Sequence, residues 1–163
     1  MASKLRWKAG ALLVAVSTGC ALFSKGGESP PSPFDVTVTA AQRLNPDDGG
    51  ESLPTLVRLY QLKSAGKLES ADFDHMYRVP KETLGDDLLR VDEMLLSPGG
   101  TAQQRIERDK AARMLAVVPV VRRPTGKSWR AVVELPPPEK GGRFTFFIEG
   151  YRIERHQAPG EGR

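Results

Sequence analysis

Short apolar runs of about four to eight residues, each closed by a cluster of Pro, Gly or Asn, recur along this chain from residue 34 to residue 153. That rhythm predicts strands in place of long helices. In the first run Phe34, Val36, Val38 and Ala40 share one side and Asp35, Thr37 and Thr39 the other, the pattern of a half-buried strand. Residues 55–62, TLVRLYQL, are apolar almost throughout except at Arg58 and Gln61, which predicts a strand covered on both faces. Residues 91–96 lead to a turn at Pro98-Gly99-Gly100, residues 103–109 read as a polar exposed strand, and residues 114–121 form the most apolar run. Pro119 cannot donate to a ladder, so an edge position or a bulge is expected there. Trp129, Ala131, Val133 and Leu135 alternate inward until Pro136-Pro137-Pro138 stops them. Residues 143–153 supply one last strand, with Phe144, Phe146 and Ile148 on one face. Seven or eight such strands separated by turns argue for a mostly β fold, a β-sandwich of about eight strands.

One or two short helical additions interrupt the strands. Ser70 is placed to cap a helix whose Phe73, Met76 and Tyr77 share a face, and Pro80 ends it. A second helical turn is expected across residues 81–89, with Leu84 and Leu88 together, and the two pieces are expected to cover one edge or end of a sheet.

What precedes the sandwich is a targeting segment. Lys4, Arg6 and Lys8 form a positive n-region, residues 9–16 an apolar run of eight residues, and Ser17-Thr18-Gly19-Cys20 ends in the only cysteine of the chain. A transmembrane helix needs about 20 apolar residues, so residues 1–19 read as a lipoprotein signal peptide removed before Cys20. A lone exported thiol has no intramolecular disulfide partner, and acylation of Cys20 gives it a use as a palmitate-type membrane anchor. Ala21 in the following position, where Asp marks inner-membrane retention, directs such a protein to the periplasmic face of the outer membrane. Residues 20–33 carry the lipidated N-terminus and a Gly-, Ser- and Pro-rich tether, residues 34–153 the sandwich, and residues 154–163 a polar tail.

The leader also explains the charge. It holds three of the 24 Lys and Arg and none of the 20 Asp and Glu, so the remainder carries 21 cations against 20 anions. A nucleic-acid partner calls for a clustered basic surface. Arg122-Arg123, Lys127 and Arg130 are too short a group and read as a solvated hairpin region. His75 and His156 lack metal-ligand spacing, no nucleophile motif is present, and Asp86-Asp87 reads as a helix cap or solvated pair. Neither a cofactor, a metal, a small-molecule substrate nor an enzymatic reaction is expected. Asp47-Asp48, in the loop NPDDGG, lacks the spacing of a calcium loop and reads as a turn that also meets a partner.

Together the lipobox ending at Cys20, FDVTVTAAQRLNPD, VRLYQL, SADFDHMY, TLGDDLL and WRAVVEL resemble, in order and spacing, the type VI secretion outer-membrane lipoprotein family called TssJ, SciN or VasD. The match departs across residues 103–124, where the family runs into an aromatic-Arg sequence and this chain has VVPVVRRP. The resemblance implies a transthyretin-like β-sandwich. It further implies a tether that binds the periplasmic C-terminal region of the IcmF-like inner-membrane protein TssM, through the loop between the first two strands. Carried onto this chain, that loop is residues 45–54, with Asn45, Asp47, Asp48 and Leu53 as contact residues. A periplasmic lipoprotein of another kind, such as a cell-wall or carbohydrate binding module, is the alternative and would call for exposed aromatic side chains.

Overall fold

In the computed structural model, residues 30–156 are described. Cys20, the leader, the tether up to residue 29 and residues 157–163 lie outside the described residues. Eight strands form two sheets of four: β1 (Phe34–Leu44), β2 (Thr55–Leu62), β3 (Leu88–Leu96), β4 (Thr101–Ile106), β5 (Met114–Pro119), β6 (Ala131–Glu134), β7 (Arg143–Gly150) and β8 (Arg152–His156). One sheet runs β4-β1-β7-β8 and the other β3-β2-β5-β6. Pairing is antiparallel except between β1 and β7, which run parallel with Val36 opposite Phe144 and Val38 opposite Phe146. The expected mostly β sandwich is the fold of this chain.

The alternation of β1 does what its sequence predicts: Phe34, Val36, Val38 and Ala40 are buried between the sheets with Val57, Leu59, Leu115, Val117, Phe144, Phe146 and Ile148. The helices are α1 (Gly66–Ser70), α2 (Phe73–Arg78) and α3 (Pro80–Leu84), followed by a 3-10 turn at Gly85–Asp87. They lie on the outer face of the β3-β2-β5-β6 sheet, not at its edge or end. There Leu68, Met76 and Leu84 meet Tyr60, Leu62, Ala116 and Val118 in a second apolar cluster. This is why β2 is apolar on both faces.

Several local expectations are corrected. Asp72, not Ser70, caps α2, accepting from the His75 amide at 2.9 Å and from the His75 ring at 2.7 Å. Those bonds hold the Asp72 carboxyl below its ordinary pKa. Pro80 both stops α2 and starts α3, since its missing N–H costs nothing in a first helical turn. Where one helical turn was expected across residues 81–89, the chain leaves the 3-10 turn and is already in β3 at Leu88. The polar strand spans Thr101–Ile106, so Arg108 falls in the loop beyond it, where its guanidinium is buried and donates to the carbonyls of Ala112 and Pro137.

Pro119 sits in an interior strand, neither at an edge nor on a bulge. It is the last residue of β5, and β6 pairs only as far as Val117. Val120 donates its amide to Leu56 of β2, so by the alternation of a strand the Pro119 nitrogen faces the side that β6 has already left. Trp129 is buried, but among the helices and away from Val133 and Leu135, because it precedes β6 instead of lying within it. The final strand is a hairpin: Gly150, at φ 57°, turns β7 into β8. β8 then continues through Glu154 to His156, past the expected end of the sandwich.

Candidate functional site

Strand direction puts the loops at two opposite ends. β1 begins where Ser32 donates its amide to Pro138 at 2.7 Å and Asp35 donates to Gly142 at 2.9 Å, so the N-terminal segment enters beside the loop joining β6 and β7. Eleven residues long, β1 ends at Leu44. At about 3.3 Å per residue the far end of the sandwich lies roughly 30 Å away. Four connections lie at that end: the β3–β4 turn at residues 97–100, bonded to Ala40 and Ala41, and three that meet, residues 45–54 between β1 and β2, residues 120–130 between β5 and β6, and the Gly150-Tyr151 turn.

Asn45 joins all three. It is the one non-glycine residue at positive φ (42°) among the described residues, a conformation Asn tolerates better than other side chains. Its amide donates to Gly150 at 2.8 Å, its Oδ1 accepts from the Arg122 amide at 2.8 Å, and its Nδ2 donates to Val120 at 3.4 Å. Tyr151 adds a hydroxyl bond to the Pro46 carbonyl at 2.7 Å. Asn45 is buried, so its side chain serves to fix the loops. Replacing Asn45 with Ala removes both side-chain bonds and leaves buried partners unpaired, and should cost about 2–3 kcal/mol in chemical denaturation. Asn45→Gly, which relieves the backbone strain, should cost less.

The other three candidates sit in the same loop with different surroundings. Asp47 Oδ1 accepts from the amides of Gly49 and Glu51 at 2.8 and 2.9 Å, closing the turn on itself. Leu53 is half-buried and donates its amide to Leu44 at 3.0 Å. Asp48 points into solvent, where it meets Arg123 at 2.6 Å and Arg122 at 3.6 Å. Arg122, Arg123 and Tyr151 are therefore part of this surface, although sequence reasoning left them out. The one available signal was an Arg pair and an Asp pair of opposite charge, and nothing local says that they meet.

Arg130 differs from its basic neighbours and is not simply solvated. Its guanidinium lies 4.4 Å from the centre of the Trp129 ring and donates to the carbonyl of Glu69 at 2.8 Å. Burial holds its pKa below the ordinary value. Beside Tyr151 a cleft of about 680 Å³ opens, lined among others by Arg43, Lys127, Glu149 and Arg152. No group of three His, Cys, Asp or Glu side chains converges as a metal site among the described residues. No helix among them is long and apolar enough to cross a membrane. What this end offers is a rigid, charged set of loops.

The sequence profile of the type VI secretion lipoprotein family (VasD, EvfM, TssJ) matches residues 32–152. No curated protein matches the chain. Among solved structures, the T6SS lipoprotein TssJ1 from Pseudomonas aeruginosa is similar at 29% identity and a TM-score of 0.67, over 80% of this chain and 100% of that one. Serratia marcescens Lip, a membrane-bound component of the type VI secretion system, is similar at 22% identity and a TM-score of 0.68, over 78% and 98%. A chain in the structure described as the T6SS protein TssM C-terminal domain from EAEC is similar at 22% identity and a TM-score of 0.68, over 77% and 98%. At 22% the last two likenesses carry the fold alone.

Proposed function

Since the chain belongs to the type VI secretion lipoprotein family, we propose that it tethers the trans-envelope secretion complex to the outer membrane. In this reading residues 1–19 are removed, Cys20 is acylated, and Ala21 sends the protein to the periplasmic face of the outer membrane. The loops at the far end of the sandwich then bind the periplasmic C-terminal region of the IcmF-like protein TssM. The tether works by holding two structures together and needs no reaction or cofactor.

The observation that supports it is the opposition of the two ends. The segment leading back to Cys20 enters beside the β6–β7 loop, and the loop containing Asp47 and Asp48 stands at the other end of β1. A lipid anchor at one end therefore leaves the loop directed away from the membrane. Membership of the TssJ family, whose resemblance implies TssM as the partner, is the reason for naming it.

Within this surface Asp48 is the exposed contact residue. Because its ion pairs are solvent-exposed, each is worth well under about 1 kcal/mol to the fold. Co-purification of the membrane-extracted lipoprotein with TssM tests the reading: Asp48→Lys should lower recovery of TssM severalfold while the melting temperature stays unchanged. Full recovery with Asp48→Lys would remove Asp48 from the contact, and absence of TssM from the wild-type eluate would remove the partner.

A further inference from the structure

Among the described residues, the large exposed apolar side chains are gathered in one place. They are Tyr77, Val91 and Leu95, at 48%, 39% and 68%; Val91 and Leu95 lie on the outer face of β3, and Tyr77 belongs to α2 above it. In the ladder Val91 lies opposite Tyr60, Glu93 opposite Arg58 and Leu95 opposite Leu56. Arg58 donates to the Tyr77 carbonyl at 3.2 Å with its guanidinium 5.8 Å from the centre of that ring, which brings Tyr77 to the same patch.

The backbone beside these side chains is also unpaired. β3 is the outermost strand of its sheet. The Val120 amide donates to Leu56, so Leu56, Arg58 and Tyr60 direct their backbone groups to β5, and Val57, Leu59 and Gln61 direct theirs to β3. Their partners Met94, Asp92 and Arg90 are thereby used. Val91, Glu93 and Leu95 point their N–H and C=O groups off the sheet, and none of the backbone bonds outside the ladders of the described residues involves them.

Edge strands are ordinarily protected by charge, proline or a covering segment. Here the one outward charge in the middle of the edge, Glu93, is already neutralised by Arg58 at 3.0 Å. A cleft of about 440 Å³ opens beside Lys81, Leu89 and Val91, with room for a side chain at the lower half of the edge. At the upper half, Leu95 and Leu56 adjoin the loop of residues 45–54, so the patch continues into the partner surface described above.

We propose that β3 is a docking edge to which an extended segment of the partner adds as a further strand. The segment would be apolar at the alternate positions that meet Val91 and Leu95. Main-chain bonds would supply affinity and the apolar patch register. A second copy of this chain fits less well, because a self-pair centred on Asp92 or Glu93 sets like carboxylates directly opposite each other. This proposal rests on the reading that the TssM periplasmic region is the partner.

The test uses the full-length lipoprotein in its complex with that region. Glu93→Pro removes an amide that faces off the sheet and so blocks an added strand without breaking the β2–β3 ladder, and Leu95→Lys alters a side chain that is already exposed. Each should weaken the complex about tenfold or more, Leu95→Lys with an unchanged melting temperature and Glu93→Pro with the modest loss expected from breaking the Arg58–Glu93 pair. Hydrogen exchange at the amides of Val91, Glu93 and Leu95 should be fast in the lipoprotein alone and slow in the complex. If the wild type binds and those amides stay fast, or Glu93→Pro binds as the wild type does while still folded, the added strand is wrong and the tether stands. If those amides slow in the lipoprotein alone as it dimerises, the occupant is a second copy and the proposal fails. If the wild type does not bind the region at all, the tether reading fails first.

Discussion

Replacing Cys20 with Ser should move the protein from the membrane fraction to the soluble periplasm. Each acyl methylene buried in lipid contributes about 0.8 kcal/mol, so a Ser at position 20, which cannot carry the proposed acyl chains, would lose the proposed attachment to lipid. The fold should survive, because both apolar clusters are built from residues 34–153. Fractionation followed by thermal unfolding of the soluble variant measures both halves of the expectation. A variant that stays with the membrane after a salt wash would contradict the anchor.

A loss of about 3–5 kcal/mol is expected for Trp129→Ala. Trp129 is buried, meets Phe73 edge to face at 5.4 Å and carries the Arg130 guanidinium on its ring. It fastens α2 to the outer face of the β2-β5 side of the sheet. Typical domains have only about 5–15 kcal/mol in total, so the variant should be close to unfolding at ambient temperature. The expected sequence of events is early loss of the helical layer. A urea midpoint that shifts by less than the equivalent of about 1 kcal/mol would mean that the helices are held by other contacts.

How much of this was legible in the sequence depends on the range of the interactions involved. β1 and β2 could be read directly, because period-two alternation and two-sided burial are written in the strand itself. The β7–β8 hairpin was missed although its signal is present: Phe144, Phe146 and Ile148 are in phase, and Ile153 is out of phase with them. Pro119 could not be read, since its tolerance depends on where β6 stops pairing. Ser70 and Asp72 are both good caps, but Ser70 closes α1 with its hydroxyl bonded to the Gly66 carbonyl, which leaves Asp72 to cap α2. Two short apolar helical pieces suggested a cover for a sheet, but which face they cover is set by the tertiary fold.

The same division holds for the proposed partner surface. Asn45, Asp47, Asp48 and Leu53 were placed in one loop by turn chemistry and by resemblance. That Asn45 is spent on holding the β5–β6 loop, and that Asp48 meets Arg122 and Arg123 from a loop some 75 residues away, are tertiary facts with no local signature. The exposed edge at β3 was equally hidden, because a strand does not declare from its own sequence whether both neighbours are present.

One end of this sandwich is proposed to bind the periplasmic C-terminal region of a TssM-like protein. Calorimetric titration of the soluble Cys20→Ser protein with that region, both shown to be folded, tests it most directly. Saturable one-to-one binding that is weakened by Asp48→Lys is the result predicted. Absence of heat and of any complex at concentrations well above micromolar would contradict the tether and leave a lipoprotein whose partner lies elsewhere in the envelope.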